Sequence, residues 1–482
     1  MNDAMNDAMK GAEKPLVSKE IDAIQERLTD YALSFNYDQL PPPVIHAAKM
    51  RVIDTLGALF GGFFAEPSVL SRNLAIPVAD GMGSTVIGTG KKTTADLAAF
   101  INDTTARSIE MNDSYHWPNS SDGHPSDVIL PILGVAEQAG SSGRDFIASV
   151  VLAYEVFCRV SNEVHRSGFD ATTFACLATA VAAGKLWGLN REQLSHCIPM
   201  SVVPNNMLKQ ARKDSITMFK SSASGHVARA GVFAAQLAKL GMEGPHLPFE
   251  GKAGWCNHVA GKRFSLETMG GAATSFKIMD TIIKQRATCG TAMSSVLAAE
   301  KIAPLNPDEV ERVVVEVYMD AKVRMGTGEH RWNPQTRESA DHSVPFNVAV
   351  ALVEGTVTTA SFDDAHVWNP QLRALMQKVE VVARNDFTLA YGKLPVEHHA
   401  RVIVYTHDGR QLVGATGGGL NDLAAPRSDD EIEKKFRLLS ADFLGARRVD
   451  AILQRLWRLD EMDNVAAIPP ALVQNTAMAG AD

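Results

Sequence analysis

Arg312-Val313-Val314-Val315-Glu316-Val317 is the run on which the architecture turns. Val313, Val315 and Val317 share one face at a period of two, while Arg312 and Glu316 fall on the other, as in a half-buried strand. Before about residue 275 the pattern is different. From 17 to 270 apolar residues recur at three- and four-residue spacing, and the alanine-rich stretches at 178–183 and 228–238 favour helix. Pro41-Pro42-Pro43 introduces a helix over 45–59, and Gly241 closes another that begins near Lys220. Downstream, Lys378-Val379-Glu380-Val381-Val382 reads as a further strand. Val402 and Val404, then Asp408-Gly409, then Leu412-Val413 read as a hairpin. Helices are predicted among these strands over 291–301 and 343–353. After Gly417-Gly418-Gly419 the pattern returns to amphipathic helix at 429–439 and 449–459. The expected fold is mainly α. A large all-helical domain is formed by both ends of the chain, 15–272 and 419–470, with an α+β domain inserted over 273–418. Residues 1–14, which carry a MNDA repeat, and 471–482 are expected to be tails.

Composition narrows the class. With 482 residues, 45% of them hydrophobic, the chain can bury a large core and is no disordered protein. Its net charge of -8 comes from 47 basic and 55 acidic residues mixed along the sequence, which argues against a nucleic-acid partner. No run reaches the roughly 18–20 apolar residues of a membrane helix, and no signal-like N-terminus is present, so a cytoplasmic protein without a membrane partner is expected. Five cysteines, at 158, 176, 197, 256 and 289, include no C-x-x-C pair. Neither a disulfide framework, nor a metal, nor an iron–sulfur cofactor is therefore expected. G-x-S-x-G, P-loop, G-x-G-x-x-G and H-E-x-x-H motifs are all missing from the sequence.

Four polar constellations remain. Glu110-Met111-Asn112-Asp113-Ser114-Tyr115-His116-Trp117 is followed, after a loop, by Gly123-His124-Pro125-Ser126-Asp127 and an apolar helix. Pro125 suits the first helical turn, which puts His124 at a helix mouth where free N–H groups attract anions; it reads either as a proton carrier or as an exposed residue of a capping loop. Lys209-Gln210-Ala211-Arg212-Lys213 precedes Lys220, which opens a helix of small residues. Most of these charges read as a solvated face; Lys220, directly after Met218-Phe219, reads as a carboxylate partner. Lys284-Gln285-Arg286 lies ahead of Cys289 at the domain junction, as a site or a basic linker. Arg337-Glu338-Ser339-Ala340-Asp341-His342-Ser343 reads as a helix cap built by Asp341 or Ser343 rather than as catalytic.

Together these runs resemble the MmgE/PrpD family. The resemblance rests on Asp113-Ser114-Tyr115 with Gly123-His124-Pro125-Ser126-Asp127, and on Met218-Phe219-Lys220 with Ala230-Gly231-Val232-Phe233-Ala234-Ala235. It rests also on Gly244-Pro245 with Pro248-Phe249-Glu250-Gly251, and on Thr336-Arg337-Glu338 with Asp341-His342-Ser343-Val344-Pro345-Phe346, in that order between about residues 20 and 460. It implies a helical domain with an α+β lid, usually a homodimer, and an active site mapping onto Glu110, Ser114, His124, Lys220 and Lys284. The family includes 2-methylcitrate dehydratase, cis-aconitate decarboxylase and an epimerase of an amino-dicarboxylate. Three positions depart from its patterns: Glu110 stands where the decarboxylase has Asp, Cys289 where it has a His five residues after the lysine, and Ala171 where the dehydratase has a His.

The expected activity is proton transfer next to a carboxylate of a small di- or tricarboxylic acid. A metal-independent hydro-lyase of the 2-methylcitrate dehydratase kind, in propionate catabolism, comes first. Decarboxylation, epimerisation and non-catalytic carboxylate binding are the alternatives. His124 would carry the proton, Lys220 and Lys284 would neutralise carboxylates, and Glu110 and Ser114 would assist. Asp113, Arg212, Arg286 and Cys289 would contact substrate.

Overall fold

Burial on every side is what an alanine-rich helix without charge before its last turn calls for, and the helix carrying Ala178 has it. In the computed structural model, which describes residues 21–79, 82–120, 122–164, 168–271 and 273–474, that helix spans Thr172–Leu186 and is buried from Thr172 to Gly184. It lies between the helices Gly143–Glu163 and Phe219–Lys239. Gly231 permits the close approach of the latter: a Cβ there would sit 2.6 Å from the carbonyl oxygen of Cys176. The helix Pro42–Gly61 packs against Asp429–Leu444 from the far end of the sequence. Leu28, Val52 and Leu56 thereby share one core with Ile432, Phe436 and Leu453.

The strands beyond residue 310 form one mixed sheet. Four of them, β3 (Val310–Val317), β4 (Val379–Ala383), β5 (Ala400–Thr406) and β6 (Gln411–Thr416), lie in the order β4-β3-β5-β6. β3 and β4 are parallel, and the pairs β3–β5 and β5–β6 are antiparallel. Val313, Val315, Val317, Val402 and Val404 are buried against the helices Gly290–Glu300 and Val344–Glu354 in a second core. That core also takes in Ala58, Ile109 and Met111 from the helical part, so the two parts meet at the segment on which Glu110 lies.

The molecule is mainly helical, as the sequence suggests, but its first part is not all-helical. β1 (Ser84–Val86) and β2 (Lys91–Thr93) form an antiparallel hairpin. Its strands are three residues long, too short to show a period, and the turn uses Gly88 and Gly90 at φ 92° and 71°. The described residues of 241–289 are also largely irregular, with Trp255–His258 and Lys277–Asp280 as their short helices. Gly241, Gly244, Pro245, Pro248, Gly251 and Gly254 break the helical pattern there. Among the described residues no helix is long and apolar enough to cross a membrane. The 1–14 tail and residues 475–482 lie outside the described residues.

Candidate active site

Two local bridges assemble the site. Ser114 and Ile282 exchange main-chain hydrogen bonds of 2.8 and 2.7 Å, which brings the 110–116 segment alongside 282–289. Tyr115 and Gly123 do the same at 2.8 and 3.2 Å, folding the intervening loop back so that His124 returns beside Asp113. Glu110 itself is buried and left-handed, at φ 52°, a conformation that costs a non-glycine residue on the order of 1–3 kcal/mol. Surrounding contacts hold it there: Lys284 Nζ donates both to the Glu110 carbonyl at 3.1 Å and to its carboxylate at 2.8 Å.

Around Glu110 the charges alternate. Asp127 pairs with the fully buried Arg107 at 3.1 Å, and Arg107 lies 3.8 Å from Glu110. Glu110 in turn meets Lys284 at 2.8 Å and Lys220 at 3.1 Å, and Lys220 meets Asp341 at 2.9 Å. Asp341 then hydrogen-bonds His342 Nδ1. Buried charges need such pairing, because desolvation of a lone ion costs several kcal/mol. Burial alone would raise the Glu110 carboxyl, but Lys220, Lys284 and Arg107 hold it well below the usual carboxylate range.

His124 is half-buried beside this ladder. Its Nδ1 lies 2.5 Å from the Asp113 carbonyl oxygen; a carbonyl only accepts, so Nδ1 carries the hydrogen and Nε2 the lone pair. Burial, with Arg107 and Lys284 nearby, pushes the imidazole well below its ordinary range, against the pull of Glu110 and the Asp113 carbonyl. The ring is therefore a neutral base at pH 7. The helix mouth expected here as an anion site is already filled: a short turn, Pro125–Val128, precedes the helix Ile129–Ala139, and Asp113 Oδ1 accepts the Ser126 N–H at 3.0 Å. The other Asp113 oxygen accepts from Tyr154 at 2.9 Å, so Asp113 is a buried brace behind His124.

On the other side of the ladder, Cys289 and His342 are pinned together. The Asp341 carbonyl accepts the Cys289 N–H at 3.2 Å and the Thr288 hydroxyl at 3.0 Å, while the Asp341 carboxylate holds His342. Burial would raise the thiol, but the His342 ring beside it brings it down to about 6. Burial and Lys220 oppose protonation of His342; Cys289 and Asp341 outweigh them and raise it. Gly290 follows because only a residue without Cβ fits: one there would lie 2.6 Å from Ser114 Oγ.

A cavity of about 400 Å³ is lined by His124, Arg212, Cys289 and His342, with Arg331 and Lys209 among the cations. Of the residues expected from sequence, His124, Arg212 and Cys289 therefore share its wall. Glu110, Lys220 and Lys284 form the buried ladder next to it, and Ser114 is buried at the bridge to Ile282. Arg286 points elsewhere, its guanidinium bonded to both carboxylate oxygens of Glu300 at 2.6 and 2.8 Å. Arg212 donates to Asp170 at 2.8 Å, yet its Nη2 is buried without a hydrogen-bond partner among the described residues, as is Arg331 Nε. Lys209 and Lys213, expected on a solvated face, line the cavity, and neither forms an ion pair among the described residues. Asp341 and His342 were expected only as part of a cap. Ser343 does cap its helix, accepting the Phe346 N–H at 3.1 Å, and the two residues before it enter the site. Arg331 lies in no sequence motif and had no signal.

Comparison with known proteins gives two family-model matches, to the MmgE/PrpD N-terminal domain over residues 26–267 and to the MmgE/PrpD C-terminal domain over residues 287–459. Cis-aconitate decarboxylase of Homo sapiens is 23% identical over 465 residues, covering 90% of this chain and 92% of its own length. The mitochondrial 2-methylcitrate dehydratase of Yarrowia lipolytica is 25% identical over 413 residues, covering 80% and 76%. The 2-methylcitrate dehydratase of Escherichia coli is 24% identical over 388 residues, covering 76% and 78%.

Proposed function

This chain belongs to the MmgE/PrpD family, and from that membership we propose that it is a lyase that eliminates water from a small di- or tricarboxylic acid by proton transfer next to a carboxylate. One observation supports this most: a neutral imidazole shares one cavity with Lys209 and Lys213, which form no ion pair among the described residues, and with guanidinium nitrogens of Arg212 and Arg331 that have no hydrogen-bond partner there. His124 Nε2 takes the proton from the carbon next to the carboxylate, and the ladder cations Lys220 and Lys284 stabilise the charge that develops there. Lys209, Lys213 and the open guanidinium nitrogens of Arg212 and Arg331 hold the remaining carboxylates. In this reading residues 273–418 act as a lid, contributing Lys284, Cys289, Arg331 and His342. The steps require no metal, so activity is expected to survive prolonged EDTA treatment; recovery only on adding iron or zinc would contradict that.

The test is to incubate the protein with 2-methylcitrate, citrate and cis-aconitate in heavy water and follow the products by NMR. Loss of water from a hydroxy acid supports the reading. Loss of carbon dioxide from cis-aconitate would replace it with decarboxylation. Deuterium at a stereocentre without either loss would indicate epimerisation, and no exchange at all would leave a carboxylate-binding protein.

A further inference from the structure

Elimination of water removes a hydrogen from carbon and delivers a proton to the departing hydroxyl, and both can happen together when separate groups carry the two protons. His124, whose imidazole is neutral at rest, is suited to take the first. Across the ladder, Cys289 and His342 line the same cavity, and Asp341 anchors both, one through its carbonyl and the other through its carboxylate. With Asp341 on Nδ1, the ring's other nitrogen is left for the thiol. We propose that Cys289 and His342 hold one mobile proton between them and are the acid of this site, delivering it to the leaving hydroxyl. This rests on the elimination reading above.

The step balances without a redox partner. The C–H bond breaks, its proton goes to His124 Nε2, and its electron pair forms the new C=C bond as the C–O bond breaks. The oxygen leaves with the proton from the pair, as water. His124 has then gained one proton and the pair has lost one, and exchange with solvent restores both. A thiolate and a neutral imidazole remain at that moment. Their surroundings suit this state: Lys284, Arg324 and Arg331 act on the thiolate as cations, against Glu110 and Tyr318. Lys220 and Asp341 act on the ring. The depressed thiol and the raised imidazole agree with a shared proton at neutral pH. The four remaining cysteines are buried away from this cavity.

Two measurements on the full chain test this. The first needs no substrate: iodoacetamide alkylation of Cys289, quantified by peptide mass spectrometry as a function of pH. Wild type is expected to be half-maximal near about pH 6, and His342→Gln near the ordinary thiol value of about 8.5. A wild-type profile that rises only at the ordinary value, or no alkylation at Cys289, overturns the pair. The second follows Cys289→Ala on a wild-type substrate in heavy water. Deuterium exchange next to the carboxylate should persist while water loss falls by roughly 10²- to 10⁴-fold. If exchange and elimination fall together, or neither falls, Cys289 is structural and the proposal fails. Should wild type turn over none of the acids, the elimination reading fails, and with it the acid role, while the alkylation profile still decides whether the thiolate pair exists.

Discussion

His124 Nδ1 lies 2.5 Å from the carbonyl oxygen of Asp113, and this contact decides which ring nitrogen is free. Because the partner is main chain, no side-chain exchange at 113 removes it. Replacement of His124 itself is the informative change. His124→Ala and His124→Gln should both lower kcat by roughly 10²- to 10⁴-fold, since neither can carry a proton. A Gln variant with near-normal turnover would assign the residue to positioning.

The pH dependence follows from the same neighbours. Burial, Arg107 and Lys284 lower the His124 imidazole well below 6.5, so the base form needed for catalysis persists into acid. The acid limb of kcat against pH should therefore lie below 6.5. On the alkaline side, activity ends when the Cys289–His342 pair loses its last proton, above 6.5 because His342 is raised. An acid limb at or above 6.5 would mean that the cations do not act on His124.

Glu110 tests the charge ladder. Glu110→Gln leaves Lys220 and Lys284 without their shared anion, and breaking a buried pair costs about 3–5 kcal/mol. Urea denaturation at neutral pH measures the loss. The native carboxyl is held low, so its contribution is fully present above the ordinary value of 4.5 and disappears as pH falls through the lower native one. The gap between wild type and variant should accordingly close in acid. Equal stability at neutral pH would show that the ladder contributes nothing net.

Lys209 separates binding from chemistry. It lines the cavity without an ion pair among the described residues, and burial with Arg324 and Lys213 nearby lowers its ammonium. A substrate carboxylate would relieve that repulsion. Lys209→Ala is expected to raise KM by roughly 10- to 100-fold, the worth of one charged hydrogen bond, with kcat little changed. Unchanged KM in steady-state kinetics would remove Lys209 from the substrate's contacts.

How much of this could be read from the sequence depends on range. The period-two run at 313–317 and the Asp408-Gly409 turn announce β3, β5 and β6 because strand alternation and turn chemistry are local. β1 and β2 gave no signal because three residues make no period. His124 and Cys289 stood out by type and neighbours. Asp341 and His342 did not, since a polar run before an apolar helix has the same appearance whether it caps or reacts. Only the meeting of 341 with 220 and 289, set by the packing of the two parts, distinguishes them. Arg331 could not be singled out at all: what makes it a candidate is an Nε in a cavity with no hydrogen-bond partner among the described residues, which is a property of space.

One residue of the helix Asp429–Leu444 reaches under the site. Lys435 Nζ donates to the carbonyls of Met111 at 2.8 Å and Lys284 at 2.9 Å, beside its ion pair with Asp54. It thus clamps the two segments that carry Glu110 and Lys284, although it lies 151 residues beyond the later of them. On the ribosome, that clamp emerges long after everything it holds. A nascent chain can fold its first helices early, but its reaction centre stays unfinished until translation has passed residue 435.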